Sequence, residues 1–101
     1  MIYITQLIFL KEGKEAIFQQ FEDFAIPLMK KYNGRVLYRL RPGPENYIDA
    51  KGEEQPYEIH FISFDSENDL SAFMNDKERL AFMHLKEESV QSMLLVKCYK
   101  M

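Results

Sequence analysis

Pro56-Tyr57-Glu58-Ile59-His60-Phe61-Ile62-Ser63-Phe64-Asp65-Ser66 is the stretch on which the fold turns. A proline opens it, aromatic and β-branched side chains fill it, and Asp65-Ser66 closes it, which is the pattern of a strand. Odd positions carry Tyr57, Ile59, Phe61 and Ser63; even positions carry Glu58, His60, Ile62 and Phe64. Large apolar groups stand on both faces, so both faces call for cover. Such a strand belongs inside a sheet, with one layer above it and another below. Helices of this chain supply one layer, and a second copy of the chain is expected to supply the other.

The totals agree with a compact domain. The 101 residues are 47% hydrophobic and 14% aromatic, enough for one packed core, and the whole span 1–101 reads as a single domain. Thirteen basic residues against sixteen acidic ones leave a net charge of −3, and the longest basic run is Lys30-Lys31. A phosphate backbone needs a concentrated cationic surface, so nucleic acid is not an expected partner. The apolar start, Met1 to Leu10, has no preceding basic residue and is too short to cross a bilayer, so it reads as a strand and membrane association is not expected. Cys98 is the one cysteine. It cannot staple its own chain, which fits a reducing cytoplasm, and its apolar surroundings predict a small buried hydrophobe.

Outward from the central strand, the other elements follow in order. Residues 2–10 form a first strand, apolar at both parities. From Glu15 to Tyr32, Ile17, Phe18, Phe21, Phe24, Ala25, Leu28, Met29 and Tyr32 recur at three-and-four spacing, a helix with one broad buried stripe. Pro27 removes the hydrogen bond to the Asp23 carbonyl, predicting a kink. Asn33-Gly34 reads as a left-handed terminator. Arg35 to Arg41 alternates Val36, Tyr38, Leu40 with Arg35, Leu37, Arg39, Arg41, as an edge strand does. Residues 43–55 are polar, either a solvated hairpin connection or a lid carrying Tyr47 and Ile48 over a pocket. Ser66 with Asp69 resembles a capping box opening a short helix with Leu70, Phe73 and Met74. Asn75-Asp76 breaks it, a second helical piece runs from Lys77 to Glu87, Ser89 to Ser92 is a turn, and Met93 to Lys100 is the last strand.

The order is β-α-β-β-α-β: an α+β, ferredoxin-like βαββαβ fold with a four-stranded antiparallel sheet and its helices on one face. The bare face spans roughly 450 Å² as a flat rectangle of strands, large for a monomer and approaching one side of a standard interface. A homodimer through that open face is the expected partner arrangement.

Three places carry a resemblance to a known family. They are Ala25-Ile26-Pro27-Leu28 through Tyr32-Asn33-Gly34-Arg35-Val36-Leu37-Tyr38-Arg39, then Ile62-Ser63-Phe64-Asp65-Ser66, and Phe73-Met74-Asn75-Asp76-Lys77-Glu78-Arg79. Together they resemble the dimeric α+β barrel superfamily, most of all its small single-domain members of unknown function. The resemblance implies a dimeric barrel. Its relatives include cofactor-independent monooxygenases, haem-degrading enzymes, lactone isomerases and ligand-sensing modules, among which fold cannot choose. With no tryptophan in the chain, the haem degraders' pattern finds no match.

No nucleotide-binding glycine loop, nucleophile elbow, paired-cysteine site or zinc-protease helix is present, and two histidines are too few for a convincing metal site. Neither metal nor cofactor is expected. Glu58 and His60, two apart on one strand, share a face. A carboxylate beside a histidine can make it a general base, or the two can form a buried hydrogen-bonded pair or an interface contact. Tyr38 is a proton donor or a core aromatic. Arg39 is an anion holder or an exposed edge-strand charge. His84 reads as a packed or surface histidine. Two functions stand: a homodimeric module binding a small molecule between sheet and helices, or a cofactor-independent monooxygenase or isomerase. The second would act on a small aromatic or lactone-like compound, with His60 as base and Tyr38 or Arg39 orienting it.

Overall fold

The computed structural model of the chain describes residues 1–49 and 54–101. Strand β1 (Ile2–Leu10) leads to helix α1 (Glu15–Leu28), a 3-10 turn (Met29–Tyr32) and strand β2 (Gly34–Leu40). A short 3-10 turn (Pro44–Asn46) precedes strand β3 (Glu58–Phe64). Helices α2 (Glu67–Met74), α3 (Lys77–Ala81) and α4 (Met83–Ser89) follow, and strand β4 (Val90–Cys98) closes the chain. The sheet order is β2-β3-β1-β4, antiparallel throughout. The expected βαββαβ architecture is the one observed, with β3 inside the sheet and β2 at its edge.

One sheet face carries the core. Ile2 and Ile4 of β1 and Ile62 and Phe64 of β3 pack against Leu28 and Met29 and against Phe73 of α2. Each such side chain taken from water contributes about 1.5–3 kcal/mol, which makes this layer the main source of stability. The other face leaves Tyr38, Leu40, Phe61, Leu94 and Val96 exposed. Both helical segments therefore cover the same side.

Local chemistry sets the joints. Beyond Pro27 the chain winds on as the 3-10 turn rather than ending, so the helix tightens at its end where a kink was expected. Asn33 takes φ 56°, the left-handed terminator anticipated from sequence. Gly34 is required by space: a Cβ there would lie 2.5 Å from Cε1 of Phe64. The Ser66 hydroxyl accepts the Asp69 N–H at 3.1 Å and caps α2, while Asp76 caps α3 through the Arg79 N–H at 2.9 Å.

Three expectations are corrected. The second helical piece is two helices, broken at Phe82. No turn spans Ser89 to Ser92; α4 runs straight into β4, and the buried Ser89 hydroxyl donates to the Leu85 carbonyl at 2.7 Å at the helix end. Cys98 is exposed because it ends an edge strand on the uncovered face, opposite Tyr3. Among residues 43–55, Ala50, Lys51, Gly52 and Glu53 lie outside the described residues. Ile48 is 97% exposed and does not line the cavity beneath the helices; Tyr47 lines a separate surface cleft with Arg41, Pro44 and Tyr57.

Candidate functional site

The covered face is not apolar throughout. Toward one end of β1 and β3 the inward positions become Gln6, His60 and Glu58, with Gln6 directly opposite His60 in the register. Helix α1 lays Glu22 over them from the middle of its buried stripe, between Phe18 and Ala25. Glu22, Glu58 and His60 are each 3% exposed or less. Buried charges at this density persist only where they pair.

His60 is the hub. Its Nε2 contacts Glu58 Oε2 closely and lies 3.0 Å from Glu22 Oε2, while Nδ1 sits 3.0 Å from Gln6 Oε1. Both ring nitrogens face acceptors, an arrangement that the imidazolium satisfies and the neutral ring does not. Burial by itself would depress the imidazole. The Glu22 and Glu58 carboxylates outweigh it and lift the ring from 6.5 to about 9. Burial raises the carboxyl of Glu22 above its ordinary value. Glu58 is driven the other way: against the effect of burial, hydrogen bonds from His60 and the arginines hold it well below the carboxylate range.

Two arginines of the β2 side complete the cluster. Arg39 donates from Nε to Glu58 Oε2 at 3.1 Å and from Nη2 to Glu22 Oε1 at 2.7 Å. Arg41 donates from Nε at 3.1 Å and from Nη2 at 2.6 Å to Glu58 Oε1. Gln19 Oε1 accepts from both guanidiniums at 3.2 Å. A β-bulge puts them there. Val36 pairs with Ile62 but Tyr38 pairs with Phe61, so Leu37 is an extra residue and parity changes beyond it. Arg39 then falls opposite His60 on the covered face, and Tyr38 turns to the open face, where its ring meets Phe61 edge-on at 6.2 Å.

Of the residues singled out from sequence, Glu58, His60 and Arg39 come together, and Tyr38 does not join them. Arg39 is no free edge charge. Tyr38, 65% exposed, is not a core aromatic either. His84 lies exposed on α4, its Nδ1 3.1 Å from the Ala81 carbonyl oxygen.

Glu22, Glu58 and His60 also bring one potential metal ligand each within 4.8 Å of one another. Both oxygens of Glu58 are engaged by guanidiniums, and a dication would face Arg39 and Arg41 at close range. A proton on His60 fits that electrostatic setting better than a divalent cation does.

Behind the cluster lies a cavity of about 210 Å³ between sheet and helices. Gln6, Glu22 and His60 form a polar part of its lining; Ile4, Ile62, Phe64 and Phe73 are among its apolar walls, and Arg79 and Lys86 also line it.

No protein-family model matches the sequence, and no curated protein matches it. Solved structures do. A protein of unknown function from Rhodopseudomonas palustris gives a TM-score of 0.86 at 10% identity, over 99% of this chain and 82% of the other. A nipsnap family protein with unknown function from Agrobacterium tumefaciens gives 0.69 at 16%, over 97% and 86%. A protein from Arabidopsis thaliana gives 0.76 at 10%, over 100% and 96%. The likeness is one of fold. At such identities it transfers no site residue and no activity.

Gln6, Gln19, Glu22 and Arg41 were not singled out from sequence. A signal existed for two of them. Gln6 interrupts the inward ladder of Ile4 and Ile8, and Glu22 interrupts the helical stripe between Phe18 and Ala25. A polar residue at a core position needs a buried partner. Nothing comparable marked Arg41, whose inward direction depends on the bulge.

Proposed function

We propose that this chain is a small-molecule-binding protein of the dimeric α+β barrel type, a homodimer that seats its ligand between sheet and helices. The observation that carries the reading is the mostly apolar cavity with Gln6, Glu22 and His60 grouped in its wall. An apolar body with a few placed polar groups is the usual make-up of a ligand site. At about 210 Å³ it is smaller than the roughly 300–1,000 Å³ of drug-sized pockets, so the ligand is small, a monocyclic aromatic or a compound of that size.

The enzyme reading keeps one supporting observation: His60 and Glu22 sit at the cavity wall, where a bound molecule would meet them. As a general base, however, His60 is badly placed. A ring held as imidazolium by two carboxylates has no free lone pair at neutral pH. That tilts the balance to binding without chemistry. NMR titration of the full chain with toluene, small quinols and small lactones tests both readings. Shifts confined to the cavity residues, with no turnover, are expected. Absence of any shift with all three overturns the binding reading, and turnover that disappears in His60→Ala overturns its non-catalytic part.

The open face supports the dimer. Tyr38, Leu40, Phe61, Leu94 and Val96 leave apolar area on both edges and across the middle of the sheet, more than a soluble monomer ordinarily shows. Sedimentation at micromolar concentration is expected to give twice the 12.1 kDa chain mass, and Leu94→Lys is expected to halve it. A wild-type chain that sediments as a monomer refutes the assembly.

A further inference from the structure

We infer that the cavity takes a small apolar carboxylate, its charged group received by Arg79 and Lys86 and its hydrocarbon lying on Ile4, Ile62, Phe64 and Phe73. The inference rests on the reading of this cavity as a ligand site and names the ligand's class.

Arg79 is the anomaly. It is only 6% exposed, yet its guanidinium makes no ion pair with a carboxylate among the described residues. Its Nε is buried and has no hydrogen-bond partner among the described residues. Nη1 donates weakly to the Met74 carbonyl at 3.3 Å, and the guanidinium lies 5.1 Å from the centre of the Phe73 ring. Of its acidic neighbours in sequence, Glu78 lies beyond ion-pair distance of the guanidinium, and Asp76 accepts instead from the Tyr32 hydroxyl and from the Arg79 backbone N–H. A guanidinium offers five N–H donors, and leaving them unmet in an apolar setting is costly.

Lys86 adds a second cation to the same lining. Its ammonium has no carboxylate within 4.0 Å among the described residues. Burial, and then the positive charge of Arg79, hold it below its ordinary value. Two cations lining one cavity, neither paired with a carboxylate among the described residues, are a site suited to an anion. The remaining cation of the lining, Lys97, is already paired with Glu67. Arg39, Arg41 and His60 are spent on Glu22 and Glu58. The unmet positive charge is therefore local to Arg79 and Lys86.

The chemistry selects a carboxylate. A planar guanidinium fork matches it with two parallel N–H···O bonds, and a single negative charge suits a small cavity whose walls are otherwise apolar. The phenyl and sec-butyl walls favour a ring or branched chain behind it.

Three probes of one shape separate the possibilities in calorimetric or NMR titrations of the full chain at neutral pH and constant salt: sodium 4-methylbenzoate, its amide, and toluene. The carboxylate is expected to bind at least about tenfold more tightly than the amide, which corresponds to about 1.4 kcal/mol. Lys86→Met and Arg79→Gln are each expected to erase that advantage while toluene binding is kept. Amide and toluene binding as tightly as the carboxylate would leave the cavity a ligand site and overturn the anion inference. No binding by any probe would overturn both. Should Arg79→Gln fail to fold, Lys86→Met, at a partly exposed position, decides alone: an undiminished preference for the carboxylate refutes the assignment.

Discussion

Raising the pH through the range of His60 should remove a defined share of the stability, and a single substitution should abolish the effect. The imidazole rises from 6.5 to about 9 on folding because the Glu22 and Glu58 carboxylates outweigh its burial. At 1.36 kcal/mol per pH unit this is about 3 kcal/mol of linked stability. The sign follows from which state holds the proton more tightly. Folded His60 does, so the contribution is fully present below 6.5, the unfolded value, and is lost as pH climbs through about 9. The assay is urea unfolding at fixed protein concentration from pH about 6 to about 10, run on wild type and His60→Gln. Fixed concentration matters because subunit association would add its own term. Ionisations elsewhere in the chain are common to both proteins and cancel in the difference. The difference curve should fall by about 3 kcal/mol, and Glu22→Gln should shrink the fall by removing one of the two carboxylates. Parallel curves for wild type and His60→Gln would refute the reasoning. A nitrogen spectrum of His60 with one unprotonated ring nitrogen at neutral pH would do the same.

Two further predictions concern the same layer. Glu58→Gln should cost about 3–5 kcal/mol by urea unfolding, since it leaves Arg39 and His60 sharing Glu22 and Arg41 without a carboxylate; Arg41→Met, at a half-exposed side chain, should cost no more than about 1 kcal/mol, and equal losses would show that Glu58 is not the centre of the cluster. Gly34→Ala should cost about 1–3 kcal/mol, because its methyl group enters the Phe64 ring; combined with Phe64→Leu, the two changes should cost less than their sum, and strict additivity would place the clash elsewhere.

Much of the fold was legible before any coordinates. The stripe from Phe18 to Tyr32, the Asn33-Gly34 terminator, the Ser66 cap and the two-faced apolar strand around Phe61 each carry their own local signal, in periodicity or in backbone preference. Glu58 and His60 were visible as a pair for the same reason: two residues apart on a strand, they must share a face. Cys98 was misjudged because an apolar neighbourhood in sequence says nothing of which sheet face lacks a cover, and Ser89–Ser92 because its serines read as turn residues although pairing with β1 draws Val90 onward into the sheet.

What sequence alone determined is thus every feature set by period and local conformation: the element order, the helix terminator and the face shared by Glu58 and His60. What only tertiary structure decided is which side chains meet them. One extra residue at Leu37 changes the parity of β2, bringing Arg39 and Arg41 beneath helix α1 and turning Tyr38 away. In a strand the side-chain period is two, so a single bulge reassigns every residue beyond it to the opposite face, and pairing between strands rather than any pattern within one places it.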